Sequence, residues 1–158
     1  MTIRVGQGFD FHPLVEGRKL ILAGVEVPYE HGLSGHSDAD VAAHALANAI
    51  LGALGEGDLG RHFPDSDPRY KGADSLALLA IVWKLASDRG FRLGNADVTI
   101  FAQKPKLAPY LDQMRSNLAR LLAADTKALN VKASSPESLG ALGRGEGMAA
   151  AAIIVLEA

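Results

Sequence analysis

The chain contains 158 residues, of which 48% are hydrophobic and 22% are charged, a balance typical of one globular domain. The formal net charge of −2 excludes a general electrostatic field for holding nucleic acid or an anionic membrane. Cysteine is absent, which excludes disulfides and thiolate metal ligands, so any metal ion must be bound by imidazole and carboxylate groups.

The first predicted elements are strands. Alternating apolar residues indicate a strand over 3–12, and Pro13 is expected to end it because proline lacks the N–H that a strand ladder needs. Residues 19–27 indicate a second strand or a short hairpin. A helix follows over 41–54, and either Ser37 or Asp38 is expected to cap its N-terminus.

The rest of the chain alternates helices and strands irregularly. We predict a polar loop over 58–68, a helix over 74–89, a strand over 95–102, a helix over 109–124, a strand over 129–134, a glycine-rich loop over 140–147 and a buried terminal strand over 148–156. This order is not a regular strand–helix alternation, so it favours an α+β fold, with a mixed β-sheet and helices packed on one face.

No repeat or low-complexity linker interrupts the chain, so residues 1–158 are predicted to form a single domain. The longest apolar run, 148–156, is too short to span a membrane. No segment resembles a signal peptide, and together with the absence of cysteine this makes a cytoplasmic location the expectation.

Three residues suggest a metal site. Asp10 and His12 lie two apart on a predicted strand, so both side chains project from the same face and can chelate one ion. His44 belongs to a polar helix stripe with Asp40 and Asn48 and could supply a third ligand. Two histidines, one aspartate and an open position are typical of catalytic zinc. From the residues alone, a surface aspartate, a hydrogen-bonded histidine and a solvated helix face explain the pattern equally well.

Two other polar regions allow a functional and a structural interpretation. His36 and Ser37 precede a helix N-terminus, where they could hold a phosphate or only cap the helix. The acidic segments 58–60 and 63–67 could bind substrate hydroxyls or only form turns.

The ends of two later strands, and the loop after them, also carry polar groups. Lys104 and Lys106 suit phosphate contact, although a solvated turn explains them as well. Glu137 could hold Mg²⁺ against substrate phosphates. Arg144 and Glu146 lie in a glycine-rich loop, where they could pair across a symmetry axis.

Six motifs together resemble the 2-C-methyl-D-erythritol 2,4-cyclodiphosphate synthase family. They are GxGFDxH at 6–12, GHSDADVxxH at 35–44, GDLG at 57–60, FPDSDP at 63–68, KGADS at 71–75 and GRGEG at 143–147. The resemblance runs in order along essentially the whole chain. It implies a phosphorus–oxygen lyase of the non-mevalonate route to isoprenoid precursors. The implied reaction is attack of the 2-phosphate of 4-diphosphocytidyl-2-C-methyl-D-erythritol 2-phosphate on the β-phosphorus, which releases CMP and closes a cyclodiphosphate.

The resemblance also implies an assembly and a set of cofactors. The expected state is a homotrimer with sheets around a central axis and active sites between subunits, with no nucleic acid or membrane partner. One Zn²⁺ per chain is expected on Asp10, His12 and His44, and Mg²⁺ or Mn²⁺ on Glu137, bridging the substrate phosphates.

The resemblance assigns further residues to substrate. His36, Ser135 and Glu137 are the expected catalytic residues. The expected substrate-binding residues are Asp10, His12, His36, Ser37, Asp58, Gly60, Phe63, Asp65, Asp67, Ala102, Pro105, Lys106, Leu107, Ser134, Ser135, Glu137, Ala141 and Arg144.

Three positions depart from the family pattern. Asn48 stands where the family usually has Asp, Pro136 interrupts a run usually rich in threonine, and Ala141 replaces a residue that is often large and apolar. Two alternative functions remain compatible with these residues. One is a different metal-dependent phosphohydrolase that uses the same ligands, and the other is a non-enzymatic trimer that binds prenyl phosphates.

Overall fold

Seven strands and five α-helices make up the chain in the computed structural model, which describes all 158 residues. The strands are β1 (Ile3–Glu16), β2 (Leu20–Leu22), β3 (Val25–Val27), β4 (His31–Leu33), β5 (Arg92–Phe101), β6 (Leu129–Ser134) and β7 (Gly147–Glu157). The helices are α1 (Val41–Leu54), α2 (Leu59–His62), α3 (Ser75–Asp88), α4 (Leu111–Leu121) and α5 (Gly140–Gly143). None of them combines the length and apolar character needed to cross a lipid bilayer.

Five strands form one mixed sheet in the order β4-β1-β7-β5-β6. β5 and β6 run parallel, whereas every other neighbouring pair is antiparallel. β2 and β3 form a separate hairpin, which is one of the two forms predicted for this segment. The predicted α+β class and mixed sheet are confirmed.

α1 covers one face of the sheet, packing against β1 and β7, and α3 packs against α1. Because α1 lies between the sheet and another helix, it is buried on almost every side. Only three of its residues are not buried, and they are spaced four apart: His44, Asn48 and Gly52. This stripe faces away from the core, which confirms that His44 and Asn48 share one accessible face of the helix. Asp40 was predicted to belong to the same stripe, but it is fully buried at the N-cap position.

Two glycines of β1 set the distance between strand and helix. A Cβ built on Gly6 would lie 1.8 Å from the carbonyl oxygen of Ala49, and one on Gly8 would lie 2.0 Å from that of Ala45. Only glycine permits backbones to approach this closely. The same face of β1 continues to Asp10, so the close approach brings that carboxylate within reach of α1.

The opposite face of the sheet is uncovered in the single chain. Alternate β1 side chains point away from α1, and they are large and apolar: Val5, Phe9 and Phe11 are 64%, 54% and 65% exposed. Ile153 of β7 pairs with Gln7 on this same face and is 54% exposed. The terminal strand was predicted to be buried, and its helix-covered face is buried along its whole length. On the other face, burial is partial: Ala149 is 3% exposed, whereas Ile153 lies in the open.

Pro13 does not end β1, contrary to the prediction. The strand continues to Glu16, because Pro13 is the last residue that pairs with β7 and β1 then pairs with β4 from Leu14 onward. The missing N–H therefore falls at the end of a ladder, where proline is tolerated. The Pro13 carbonyl still accepts a hydrogen bond from Ser34 N–H at 2.9 Å.

Asp40 caps α1, so the prediction of Ser37 or Asp38 was wrong. Its buried carboxylate accepts N–H bonds from Ala43 at 3.1 Å, from Ala23 at 2.8 Å and from Gly24 at 2.9 Å. One side chain thus ties the helix start to the turn of the β2–β3 hairpin. Burial raises the pKa of Asp40 to about 6, against these three N–H groups, which favour the charged form.

The remaining differences are small. The segment predicted as a polar loop over 58–68 contains α2, whose first turn Asp58 caps by accepting the N–H of Arg61. The predicted glycine-rich loop over 140–147 contains the single turn α5.

Candidate metal centre and active-site cleft

A cleft of about 580 Å³ opens where β1, α1 and the loops around them meet. Its volume is typical of small-molecule sites. Fourteen residues line it: Asp10, His12, Gly35, His36, Ser37, His44, Asn48, Asp58, Leu59, Gly60, Phe63, Asp65, Tyr70 and Leu78.

Asp10, His12 and His44 converge at this cleft, as the sequence predicted. Asp10 Oδ2 lies 3.0 Å from His12 Nε2 and 3.0 Å from His44 Nδ1, and the two nitrogens are 3.3 Å apart. Tetrahedral zinc with bonds of about 2.1 Å places its ligand atoms about 3.4 Å from one another. The three atoms therefore form a triangle of the size that such an ion requires.

The other ring nitrogens of the two histidines are already engaged. His12 Nδ1 lies 3.0 Å from the Ser34 carbonyl oxygen, to which it donates, so its Nε2 presents a lone pair. His44 Nε2 contacts the Ser75 hydroxyl oxygen at 2.8 Å, and donation there leaves Nδ1 free in the same way. Two lone pairs and a carboxylate facing one another make a cation-binding donor set, so these residues fit a metal ion.

The ligands also perturb one another's protonation. Burial acts to raise the pKa of Asp10, but hydrogen bonds and attraction from His12 and His44 outweigh it and lower that pKa. Burial acts to lower the pKa of His12, but Asp10 and the Ser34 carbonyl outweigh it and raise that pKa. A proton shared by this pair competes with a metal ion, so metal affinity is expected to fall as the pH falls.

A loop opposite the triad presents the predicted hydroxyl-binding groups. Asp58, Gly60 and Asp65 line the cleft, and the Asn48 side-chain oxygen accepts the N–H of Leu59 at 2.9 Å. That bond fixes the start of α2 against α1, so Asn48 supports this wall of the cleft. Its role needs a hydrogen-bond acceptor, which asparagine supplies without a charge.

His36, Ser37 and Phe63 also line the cleft, and their surroundings differ. His36 Nε2 lies 3.0 Å from the Asp67 carbonyl oxygen. The Ser37 hydroxyl oxygen lies 3.2 Å from His44 Nε2 and is nearly buried, so it belongs to the support of the triad. Phe63 packs edge-on against Tyr70 with ring centroids 5.1 Å apart.

Asp67 lies beside the cleft without lining it. Its carboxylate accepts two guanidinium N–H groups of Arg69, at 3.0 Å from Nε and 2.6 Å from Nη2, and also the backbone N–H of Arg69 at 3.0 Å, so the side chain is engaged. This pairing lowers the pKa of Asp67. Asp67 contacts the cleft through its backbone carbonyl oxygen, which lies within hydrogen-bond distance of His36 Nε2.

The predicted nucleotide-binding residues form a second group at the ends of β5 and β6. Parallel pairing places Phe101 beside Ser134, and the N–H of Ala102 donates to the Ser134 carbonyl at 3.2 Å. This group comprises Ala102, Pro105, Lys106, Leu107, Ser134, Ser135 and Glu137, and no member lines the cleft. Leu107 is 3% exposed, so its side chain belongs to the core.

The loop after β6 has a fixed and strained form. The Ser135 hydroxyl accepts the N–H of Glu137 at 3.0 Å, and Gln103 accepts the N–H of Ser138 at 2.9 Å. Glu137 and Ser138 have φ angles of 55° and 60°, in the left-handed region that non-glycine residues rarely adopt. Such strain persists where surrounding contacts enforce it and is frequent at ligand sites.

Ala141 and Arg144 line neither the cleft nor the group at the ends of β5 and β6. Ala141 borders a separate shallow depression that Phe11 and His12 also line, next to the uncovered sheet face. The Arg144 guanidinium pairs with Glu146 of the same loop, with Nε 2.6 Å from a carboxylate oxygen.

Several residues that support the site are not predictable from the sequence. Ser34 and Ser75 hold the outer nitrogens of the two histidines, and Arg18 donates to the carbonyls of Gly35 at 3.2 Å and Ser37 at 2.9 Å. Ser75 lies in the KGADS motif, which marks the segment as part of the family pattern but gives Ser75 no particular role. No local sequence pattern points to Ser34 or Arg18, because the groups that they contact are distant in the chain.

The fold and the triad define a class: α+β proteins with a metal-binding cleft beside a mixed sheet. Comparison with known proteins makes the assignment specific. The chain belongs to the YgbB family, whose model matches residues 3–157.

Three relatives illustrate the similarity. A 2-C-methyl-D-erythritol 2,4-cyclodiphosphate synthase of Geobacillus kaustophilus is 64% identical over 154 residues, which is 98% of each chain. A solved structure of such a synthase with CDP bound has a TM-score of 0.89 and 36% identity, covering 98% of this chain and all of that one. The structure of the bifunctional IspDF of Campylobacter jejuni has a TM-score of 0.94 and 45% identity. The match covers 98% of this chain and 42% of the IspDF chain.

Proposed function

We propose that residues 1–158 act as one cyclodiphosphate synthase domain. The domain converts 4-diphosphocytidyl-2-C-methyl-D-erythritol 2-phosphate to the 2,4-cyclodiphosphate and releases CMP. The observation that supports this most strongly is the convergence of Asp10, His12 and His44 on a cleft that is also lined by Asp58 and Asp65. A relative 64% identical bears the name of this synthase.

The reaction makes few demands on acid–base groups. An oxygen of the 2-phosphate forms the new bond to the β-phosphorus, and the bond from that phosphorus to the CMP oxygen breaks, with the electron pair leaving on CMP. The nucleophile is already an anion, so no general base is needed. The difficulty is to bring two anions together and to hold the attacking oxygen in line.

The chain supplies groups for each of these tasks. Asp10, His12 and His44 would hold Zn²⁺, and Glu137 would hold Mg²⁺ or Mn²⁺. When bound, these ions supply Lewis-acid chemistry at the phosphates. Asp58 and Asp65 accept hydrogen bonds from erythritol hydroxyls, and this contact fixes the direction from which the 2-phosphate approaches.

The other assignments complete the proposed site. His36 and Ser135 would stabilise charge at phosphorus, and Lys106, which is exposed and has no ion-pair partner, would contact a phosphate. The remaining proposed substrate contacts are Gly60, Phe63, Asp67, Ala102, Pro105, Leu107, Ser134, Ala141 and Arg144. We further propose a cytoplasmic location, the expected site of this pathway's intermediates.

The assay that tests this function measures CMP release from the cytidylyl substrate by chromatography. Protein loaded with zinc and supplied with Mg²⁺ is expected to release one CMP per substrate. Treatment with a strong chelator is expected to abolish release, and returning both ions is expected to restore it. Release that persists in the chelated protein, with metal removal verified by elemental analysis, would contradict the metal-dependent mechanism.

The complete site is proposed to form between subunits of a homotrimer. Two observations support this: the residues assigned to the nucleotide do not line the cleft of the same chain, and the uncovered sheet face exposes Val5, Phe9 and Phe11. Packing such faces around a three-fold axis removes them from water. Each site would then combine the triad of one subunit with the β5–β6 end of its neighbour.

Mixed trimers test this arrangement. His44→Ala disables the zinc half and Lys106→Ala weakens the nucleotide half, so each pure variant is expected to be poorly active. Co-refolding equal amounts is expected to restore CMP release to about a quarter of wild type, because random assortment pairs two intact halves at that frequency. Mixed trimers verified by mass spectrometry that recover no activity would show that both halves belong to one chain.

A further inference from the structure

The outer nitrogen of His44 is the start of a buried hydrogen-bonded chain. His44 Nε2 lies 2.8 Å from the Ser75 hydroxyl oxygen, and that hydroxyl contacts Asp38 Oδ1. Ser75 is 1% exposed and begins α3, whereas His44 lies on α1. The contact therefore joins two helices behind the triad, on the side away from the cleft.

The direction of each bond follows from the groups involved. A carboxylate only accepts, so the Ser75 O–H donates to Asp38. The Ser75 oxygen then accepts from His44, which places the ring proton on Nε2. Nδ1 consequently carries a lone pair and faces Asp10 and His12.

Asp38 is itself held in place by the backbone. Its Oδ2 accepts the N–H of Ser75 at 3.1 Å, and its Oδ1 accepts the N–H of Asp40 at 3.1 Å. The carboxylate therefore bridges the segment before α1 and the first turn of α3. The position of Ser75 relative to His44 is fixed at both ends.

We propose that Ser75, oriented by Asp38, is a positioning residue that fixes the tautomer and ring orientation of His44 for metal binding. The inference rests on the metal site of the proposed function. Hydrogen bonds to the outer nitrogen of a metal-bound histidine commonly control metal affinity. Ser37 has a lesser part, because its oxygen is 3.2 Å from the same nitrogen and also accepts the N–H of Ala39.

Ser75→Ala tests the proposal through metal affinity. The variant removes the hydroxyl and keeps good helix propensity at the start of α3. In metal-free protein titrated with Zn²⁺ against a chromophoric chelator, we expect the dissociation constant to rise about 10- to 100-fold. Ser37→Ala is expected to have a smaller effect, and Ser87→Ala, the same change at an exposed site at the end of α3, is expected to have none.

A spectroscopic measurement separates orientation from general destabilisation. Cobalt-loaded Ser75→Ala is expected to show an altered visible absorption band, while Ser87→Ala keeps the wild-type band. Thermal melting of the metal-free proteins reports folding independently. If Ser75→Ala does not fold, Asp38→Asn replaces it, with an expected loss of affinity of about tenfold.

The outcomes distinguish this inference from the function on which it rests. Wild-type affinity and an unchanged cobalt band in folded Ser75→Ala, or in Asp38→Asn if that variant is used, overturn the positioning role and leave the metal site intact. If wild-type protein itself binds no zinc at the triad, the proposed metal site fails, and the inference fails with it.

Discussion

His44→Ala is expected to reduce bound zinc from about one ion per chain to less than about a tenth of that, and to slow CMP release roughly a thousandfold. The variant removes one of three ligands, and the remaining Asp10 and His12 cannot close a tetrahedral site. Alanine has the highest helix propensity, so α1 is expected to remain folded. Elemental analysis after gel filtration measures the zinc, and chromatography measures the CMP.

His31→Ala is the matched control for this change. His31 is also a partly buried histidine, but it lies in β4 near Glu16 and Glu30 and does not line the cleft. Its variant is expected to keep full zinc content and activity. Full zinc occupancy in His44→Ala would show that the metal is held elsewhere.

Gly8→Ala is expected to lower the stability of the fold strongly. The added Cβ would lie 2.0 Å from the Ala45 carbonyl oxygen and 2.7 Å from the Ala49 nitrogen, both backbone atoms that cannot turn aside. β1 and α1 must therefore separate, at a cost of about 3 kcal/mol, the upper end for overpacked sites. Differential scanning calorimetry is expected to show a midpoint lower by about 6–12 °C.

Separation of β1 from α1 also enlarges the metal triangle, because Asp10 is on the strand and His44 on the helix. Gly8→Ala is therefore expected to bind zinc more weakly even at temperatures where it is folded. Gly52→Ala is the control, since its Cβ would meet only Gln7 O at 3.6 Å, an ordinary contact. That exposed helix position is expected to gain up to about 1 kcal/mol. A Gly8→Ala midpoint equal to wild type would disprove the close approach of the two backbones.

Local sequence patterns predicted the bounds of helices and strands that depend mainly on their own residues. β6 has the bounds expected from its apolar alternation, and α1 begins and ends where its alanine-rich run does. The triad was predictable because strand and helix periodicities each placed ligands on one face. The residues alone allow either a metal site or ordinary polar surface residues at these positions. The family resemblance favours the metal site.

What the sequence could not predict depends on contacts between distant segments. Asp40 caps α1 partly because the β2–β3 turn brings Ala23 and Gly24 to its carboxylate, and no local pattern reveals that turn's position. Proline predicts a strand end at position 13, but β1 continues because it changes partner there from β7 to β4, and only the sheet order reveals that change. Ser75 meets His44 across 31 residues of sequence, through the packing of α3 on α1.

The strand order also explains why the predicted site residues divide into two groups. β7 lies between β1 and β5 in the sheet, so the triad and the β5–β6 end are separated by a strand within one chain. Sequence motifs can place residues in one family site without indicating which subunit supplies each of them. The separation of the triad from the β5–β6 end follows from the strand order, which the sequence does not reveal. The mixed-trimer experiment tests whether two subunits bring these groups together.

Phosphorus NMR of the reaction products shows whether this chain closes a cyclodiphosphate. The cytidylyl substrate is incubated with zinc-loaded protein and Mg²⁺ until it is consumed. We predict CMP and one further product whose two phosphorus resonances couple to each other through a diphosphate bridge. Inorganic phosphate, or a linear bisphosphate with no coupling between its phosphorus atoms, would identify a hydrolase and contradict the cyclisation.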